Sequence, residues 1–408
     1  MTSSNACHLV EKQEVRLLRR RDWIGLPVLS LFTIAFIATS VELIARRVFP
    51  TAPADAQCGI VLDPLDGPRG VPNCIYHEKL PEGPFVEYRF NSCGHRASMD
   101  CGSKPVGTYR IVMMGTSVAE GDAVPLEMTF AALLPNELSQ QTGRKVDLYN
   151  EGIGGGFTPR GVVVHFNEVL TANPDLIFWI LTPTDVERSL PDTDPVNPIV
   201  NEDFRKRVWF RLENEFAAKS FPDAVSGLWQ HGLNGFETTR TGILLQHFLY
   251  ESRSLYVKSS IMRGDSAGYL KTEPSERWQR RLSRFDVYAE EVEARASASG
   301  VPVVAVLIPS RAQAAMISMG SWPAGFDPYK LDRALRHIFL SHGGIYIDIL
   351  PDFRTIPNPE QYYLAVDGHP DSEANAILSR LLAKELTSGA VPTLSAARQP
   401  EVTLKKNR

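Results

Sequence analysis

The hydrophobic pattern divides the chain into three stretches. Trp23 to Val41 is a run of 19 residues without a charge, long enough for a bilayer core at about 1.5 Å per residue. Residues 50 to 84 lose that pattern and are rich in Pro, Gly and Asp, the composition of a linker or irregular collar. Beyond them, short apolar runs alternate with segments of helical spacing. Phe85 to Arg96 reads as a short extended piece ending in a turn, and Ile111 to Met114 as a buried strand stopping at Gly115. Residues 129 to 141 predict a helix with Pro135 as a flaw. A strand over Val146 to Asn150 is followed by a helix over Gly161 to Leu170. Pro174 to Leu181 is a third strand, ending in Thr-Pro-Thr-Asp185.

Residues 186 to 298 carry many charges and scattered aromatics, and predict an inserted, mostly helical cap that closes with a helix near 277 to 298. Strands resume at Val301 to Ile308 and Ile345 to Ile349. Gln361 to Pro370 reads as a loop and Asp371 to Leu386 as a closing amphipathic helix. From Thr387 to 408 the tail is polar and predicted to be disordered. Short apolar strands alternating with helices predict a parallel sheet covered on both faces.

Charge adds an orientation. Arg16, Arg19, Arg20 and Arg21 crowd one side of the apolar run, against Arg46 and Arg47 on the other. The positive-inside rule then leaves residues 1 to 22 in the cytoplasm, spans the membrane over 23 to 45, and exports the rest. The expected location is the inner membrane, single-pass, with the main domain in the periplasm or cell exterior. Ala54-Asp55-Ala56 has the small-x-small look of a signal-peptide cleavage site. The length of the apolar run, and the two arginines between it and that site, favour an uncleaved anchor. Net charge of -4, from 43 basic and 47 acidic residues with no long basic run outside the N-terminus, gives no nucleic-acid footprint.

Five cysteines take their meaning from this orientation. Cys7 falls on the reducing side. Cys58, Cys74, Cys93 and Cys101 fall outside, an even number that permits two disulfides in three pairings. Nearest neighbours, Cys58–Cys74 and Cys93–Cys101, form the simplest scheme; free buried thiols are the alternative.

The chemistry is concentrated at strand ends. Ser117 follows the Ile111–Met114 strand directly, at the carboxyl edge where open α/β sheets place their sites, although a turn serine can simply cap the next helix. Far along the chain, Asp367 and His369 stand two residues apart on the loop before the closing helix. A carboxylate on one imidazole nitrogen leaves the other free to take a proton from a serine. Acyl transfer also needs donors for the oxyanion. The N–H after the first strand, an N–H of the Gly154-Gly155 turn, and a polar side chain at the end of the 174–181 strand are the candidates.

Taken together, these blocks resemble the SGNH (GDSL-type) hydrolase superfamily, over about residues 85 to 185 and 300 to 386. Gly115-Thr-Ser117 resembles the Gly-Asp-Ser nucleophile block, and Asn150-Glu-Gly-Ile-Gly-Gly155 the second block. Thr182-Pro-Thr-Asp185 sits where Gly-x-Asn-Asp belongs, and Asp367-Gly-His369 resembles the last block. Asn91-Ser-Cys-Gly-His-Arg96 looks like a turn that precedes this domain in membrane-anchored members. The resemblance implies a three-layer α/β/α flavodoxin-like fold over residues 85 to 386, with a linker over 46 to 84 and the insertion at 186 to 298. It implies Ser117 as nucleophile, His369 as base and Asp367 as its partner, with oxyanion donors at Ser117, Gly155 and Thr184. Two departures stand out. Thr116 replaces an Asp outside the proton relay, and Thr184 replaces the oxyanion Asn. Losing one such donor costs about 2.7–4 kcal/mol of transition-state stabilisation.

The implied activity is hydrolysis of an acyl ester through an acyl-Ser117 intermediate, without metal or cofactor. The alternatives are O-acyl transfer on a cell-surface glycan and a non-catalytic scaffold. His165, His231, His247 and His342 show no metal-ligand spacing. Glu120 and Asp122 read as a solvated helix approach. Arg311 can meet a substrate anion, but is expected to be solvated.

Overall fold

A computed structural model describes residues 22–51, 58, 60–63, 67–154, 158–190 and 239–395. Cys7, Gly155 and His231 lie outside the described residues. Asp22–Val48 is one helix, and its stretch Ile24–Val48 is long and apolar enough to cross a membrane. Ile24, Leu29, Leu31, Phe32 and Phe36 lie bare on its surface.

The collar is more regular than its composition suggests. Ile60–Asp63 (β1) pairs antiparallel with Gly67–Gly70 (β2), and Ile75–Lys79 (β3) with Phe85–Arg89 (β4). Cys58 is paired with Cys74 and Cys93 with Cys101, with Cα atoms 5.6 and 6.1 Å apart, both within the span a disulfide bridges.

Five strands form the main sheet: Thr108–Gly115 (β5), Lys145–Asn150 (β6), Leu176–Leu181 (β7), Val303–Leu307 (β8) and Ile345–Ile347 (β9). Their order is β6-β5-β7-β8-β9, all parallel, the flavodoxin-like arrangement. β5, β7 and β8 are buried along their whole length, which explains why they read as unbroken apolar runs. Phe130–Thr142 packs with Ser372–Glu385 in one helical layer, and Pro159–Thr171 with Glu276–Ala298 and Lys330–Ser341 in another. Trp179 of β7 meets Phe285 and Phe339 of that second layer, ring centroids 5.6 and 5.5 Å away. The result is a three-layer α/β/α sandwich.

Three boundaries differ from expectation. Glu276–Ala298 is a layer helix, burying Trp278, Phe285 and Val292, so the inserted stretch ends before it. Its described helices are Arg240–Glu251 and Arg253–Ile261. The helices Arg311–Met319 and Lys330–Ser341 were not anticipated. The tail does not loosen at 387: Val391 and Leu394 are buried in the main core, and Thr393 bonds the Tyr109 hydroxyl at 2.7 Å. Those two apolar positions are too few and too closely spaced to register as a period.

Candidate active site

β5 ends at Gly115, where the neighbouring strand leaves no space for a side chain: a Cβ there would lie 2.6 Å from the Ile180 carbonyl oxygen. The chain turns through Thr116, and Ser117 opens the short helix Ser117–Glu120. On the other side, Asp371 accepts a hydrogen bond from Ala374 N–H and caps Ser372–Glu385. The residues just before that cap therefore sit at the carboxyl edge of the sheet. Gly368 takes φ +87 between Asp367 and His369, a left-handed turn that folds the two side chains together.

There Ser117 meets Asp367 and His369 from the far end of the chain. His369 Nδ1 lies 2.5 Å from Asp367 Oδ1, and His369 Nε2 lies 2.7 Å from Ser117 Oγ. Burial pulls the imidazole pKa down, but the Asp367 contact and the charges of Asp367, Asp122 and Glu120 outweigh it, for a net rise. For Asp367, burial pushes up while the bonded imidazole prevails and holds the carboxyl low.

A cleft of about 320 Å³ opens over Ser117 and His369, lined also by Thr184, Arg188, Arg263 and Tyr269. Thr184 is exposed on the helix Pro183–Glu187, and its hydroxyl bonds no other group among the described residues. Thr182 cannot substitute for it. Its N–H and its hydroxyl both go to Asp185 Oδ2 at 2.6 Å, closing a capping box. Asp185 is buried and its pKa is pushed up to about 6 by desolvation, against the two bonds from Thr182.

The second block lies against the serine turn. Asn150 donates through Nδ2 to the Ala119 carbonyl at 2.9 Å and accepts from Gly152 N–H at 2.9 Å. Gly154 N–H donates to Glu120 Oε2 at 2.5 Å. Glu120 is consequently buried, not a solvated approach, and desolvation with the nearby Asp122 charge pushes its pKa up to about 8. Its partner lies 34 residues downstream, beyond the reach of local pattern.

Other supports were also invisible in sequence. Arg96 is fully buried. It donates to the carbonyls of Glu120, Gly121 and Val124 and lies over the Tyr88 ring at 4.2 Å. Arg311, expected to be solvated, is also buried; its guanidinium donates to the carbonyls of Glu360, Ala365 and Tyr250 at 2.9, 2.6 and 2.7 Å. Glu82 Oε2 accepts from Val366 N–H at 2.8 Å and from Asp367 N–H at 3.2 Å. Glu82 Oε1 lies 2.6 Å from His247 Nδ1. His342 pairs with Asp286 at 2.8 Å.

No protein-family model matches the chain, and no curated protein does. Solved structures with a likeness to it include TesA, at 12% identity over 68% of this chain and 98% of that one, with a TM-score of 0.38. A catalytic mutant of Axe2, an acetylxylan esterase from Geobacillus stearothermophilus, is 12% identical over 71% and 96%, with a TM-score of 0.37. The psychrotrophic esterase EstA from Pseudoalteromonas sp. is 9% identical over 68% and 97%, with a TM-score of 0.37.

Proposed function

We propose that the chain is a serine ester hydrolase of the SGNH type, held on the outer face of a membrane by Asp22–Val48. The observation that carries this reading is the unbroken line from Asp367 through His369 to Ser117, with contacts of 2.5 and 2.7 Å. His369 Nε2 takes the Ser117 proton as Oγ bonds to the acyl carbon. The tetrahedral oxyanion is met by the Ser117 N–H, with Gly155 N–H and the Thr184 hydroxyl as further donors. Collapse breaks the ester C–O bond, and the leaving alcohol takes the proton back from Nε2. Water then attacks the acyl-Ser117 carbonyl, giving its proton to His369. Collapse releases the carboxylic acid and returns that proton to Ser117. Asp367 holds Nδ1–H throughout and stabilises the transient imidazolium.

A second reading, O-acyl transfer on a glycan, is favoured by the polar wall of the cleft, where Glu187, Arg188, Arg263 and Ser266 face the space above Ser117. In that reaction a sugar hydroxyl replaces water. The deciding experiment is a fluorophosphonate probe on the detergent-solubilised chain. Labelling is expected in the parent and absent in Ser117→Ala; an unlabelled parent refutes both readings and leaves the scaffold. Where the parent labels, an acceptor glycan given to fresh, unlabelled enzyme that suppresses release of free acid while ester cleavage continues selects transfer over hydrolysis.

A further inference from the structure

The cleft over Ser117 carries more positive charge than the relay uses. Besides Asp367 and His369, its charged lining is Glu187, Arg188, Arg263 and Arg311. Asp367 is turned to His369. Glu187 is engaged too, accepting from the Ser266 hydroxyl at 3.2 Å with Arg281 Nη2 3.7 Å away. Arg311 donates to three backbone carbonyls. The carboxylates whose charge acts on it, Glu360 and Glu82, are bonded to Arg253 and His247.

Two guanidinium groups are left over. Arg188 follows Pro183–Glu187 and Arg263 follows Arg253–Ile261. Both are exposed, and among the described residues neither side chain has a hydrogen bond or an ion pair. The charge of Arg188 acts on Asp185, but that carboxylate is buried and bonded to Thr182. A single exposed arginine is ordinary surface. These two come from separate elements and border the same space of about 320 Å³ as the serine. Ser260, one turn before Arg263, lines that space as well. It is 7% exposed, and its hydroxyl has no hydrogen-bond partner. Buried polar atoms without a partner are rare in native folds, and this hydroxyl has no bond to break when its rotamer turns to a ligand. Two guanidinium groups and a hydroxyl are all donors. They suit an oxyanion, whose oxygens accept from each in charge-assisted bonds.

We propose that Arg188, Arg263 and Ser260 form an anion subsite of the cleft, so that the ester opened at Ser117 belongs to an acidic molecule bearing a carboxylate or a phosphate. Arg188 stands four residues after Thr184 on the same helical side, which sets the subsite beside the reaction centre. The substrate class rests on the ester-hydrolase reading above; the binding of an anion does not.

The test therefore has two arms, both on the full chain in an uncharged detergent. In the binding arm, Ser117→Ala is titrated calorimetrically at low salt with inorganic phosphate, benzoate and the neutral benzamide. Phosphate or benzoate should bind at a single site and benzamide should not; the tighter anion identifies the group. Arg188→Gln and Arg263→Gln should each weaken that anion about tenfold, and by less as salt is added. Ser260→Ala should weaken it without lowering the melting temperature, because no hydrogen bond is lost. In the kinetic arm, para-acetoxybenzoate and para-acetoxyphenyl phosphate are compared with para-acetoxybenzamide. The kcat/KM preference for an acidic ester over the amide should fall in Arg188→Gln and Arg263→Gln, a comparison in which the intrinsic reactivity of the esters cancels. No anion binding, equal binding of benzamide, or an anion affinity unchanged in both arginine variants overturns the subsite, even where all three esters are cleaved. Equal losses on acidic and neutral esters overturn it as well. Anion binding with no ester cleaved keeps the subsite and sinks the ester reading instead.

Discussion

At the residue scale, the state of His369, the proposed base, sets the expected pH behaviour. Its pKa is raised above 6.5, since burial lowers it by less than the Asp367 contact and charge raise it. A base with a raised pKa is protonated, and idle, over more of the acid range. The kcat/KM profile should therefore climb with pH through a midpoint above 6.5. Asp367→Asn removes the largest raising influence, so the midpoint should fall while the rate drops; an unmoved midpoint in pH-stat assays would sink the assignment of Asp367. Thr184 decides a second question. If its unengaged hydroxyl faces the oxyanion, Thr184→Val should lower kcat by roughly a hundred- to a thousandfold and leave KM nearly constant. A silent substitution would remove Thr184 from the machinery, and a rise in activity of Thr184→Asn would show that reach was the defect. Ser117, Asp367 and His369, which the fold brings together, stood out in sequence because each sits at a strand or helix end with its own local signal. Glu120, Arg96 and Arg311 were not, because a charged side chain looks solvated until the chain that buries it is known.

At the element scale, the loop that carries Asp367 and His369 is held from three directions. Glu82 accepts its two N–H groups, Arg311 donates to the Ala365 carbonyl, and the Arg240–Glu251 helix reaches the same point through His247 on Glu82. Glu82 is only 3% exposed at its side chain, and removing it deprives the Val366 and Asp367 N–H groups of the acceptor that fixes the loop. Glu82→Ala should lower kcat far more than it alters KM, because it loosens the geometry of the relay without touching the cleft. Glu82→Gln, which still offers an acceptor oxygen, should recover part of the loss. Equal effects of both substitutions on global melting, with kcat unchanged, would reduce Glu82 to a packing role. Periodicity found the strands of the sheet for a physical reason: they are buried on both faces and apolar throughout. It missed Arg311–Met319, whose first turn is polar and whose Arg311 and Gln313 are buried through hydrogen bonds to backbone. It also drew the insertion too wide, since Glu276–Ala298 shows charge on one face and buries the other.

At the scale of the whole molecule, the apolar helix is joined to the folded domain by specific contacts. Glu42 accepts hydrogen bonds from Thr241 N–H at 2.9 Å, from the Thr241 hydroxyl at 2.8 Å and from Arg240 N–H at 3.3 Å. These satisfy the free N–H groups that begin Arg240–Glu251, the helix whose His247 holds Glu82. Ala45 is fully buried in this junction, and Phe49 meets the His247 ring edge-on at 5.2 Å. The charge-free run ends at Val41, so in the proposed topology the junction lies where the helix leaves the bilayer. The same helix exposes Leu245, Phe248 and Leu249, an apolar side beside that exit. A signal peptide discarded after Ala56 would take Glu42, Ala45 and Phe49 with it and leave the Arg240 and Thr241 N–H groups without their acceptor, with only the Thr239 cap on Gly242 remaining. These contacts support the proposed uncleaved anchor, which is checked by intact mass of the protein extracted from membranes. The expected mass is that of the chain with its apolar helix, and Glu42→Ala should lower the melting temperature and, through His247 and Glu82, the turnover number. A mature N-terminus beginning after Ala56, with full activity in the soluble fraction, would overturn the anchor and the route from membrane to relay together.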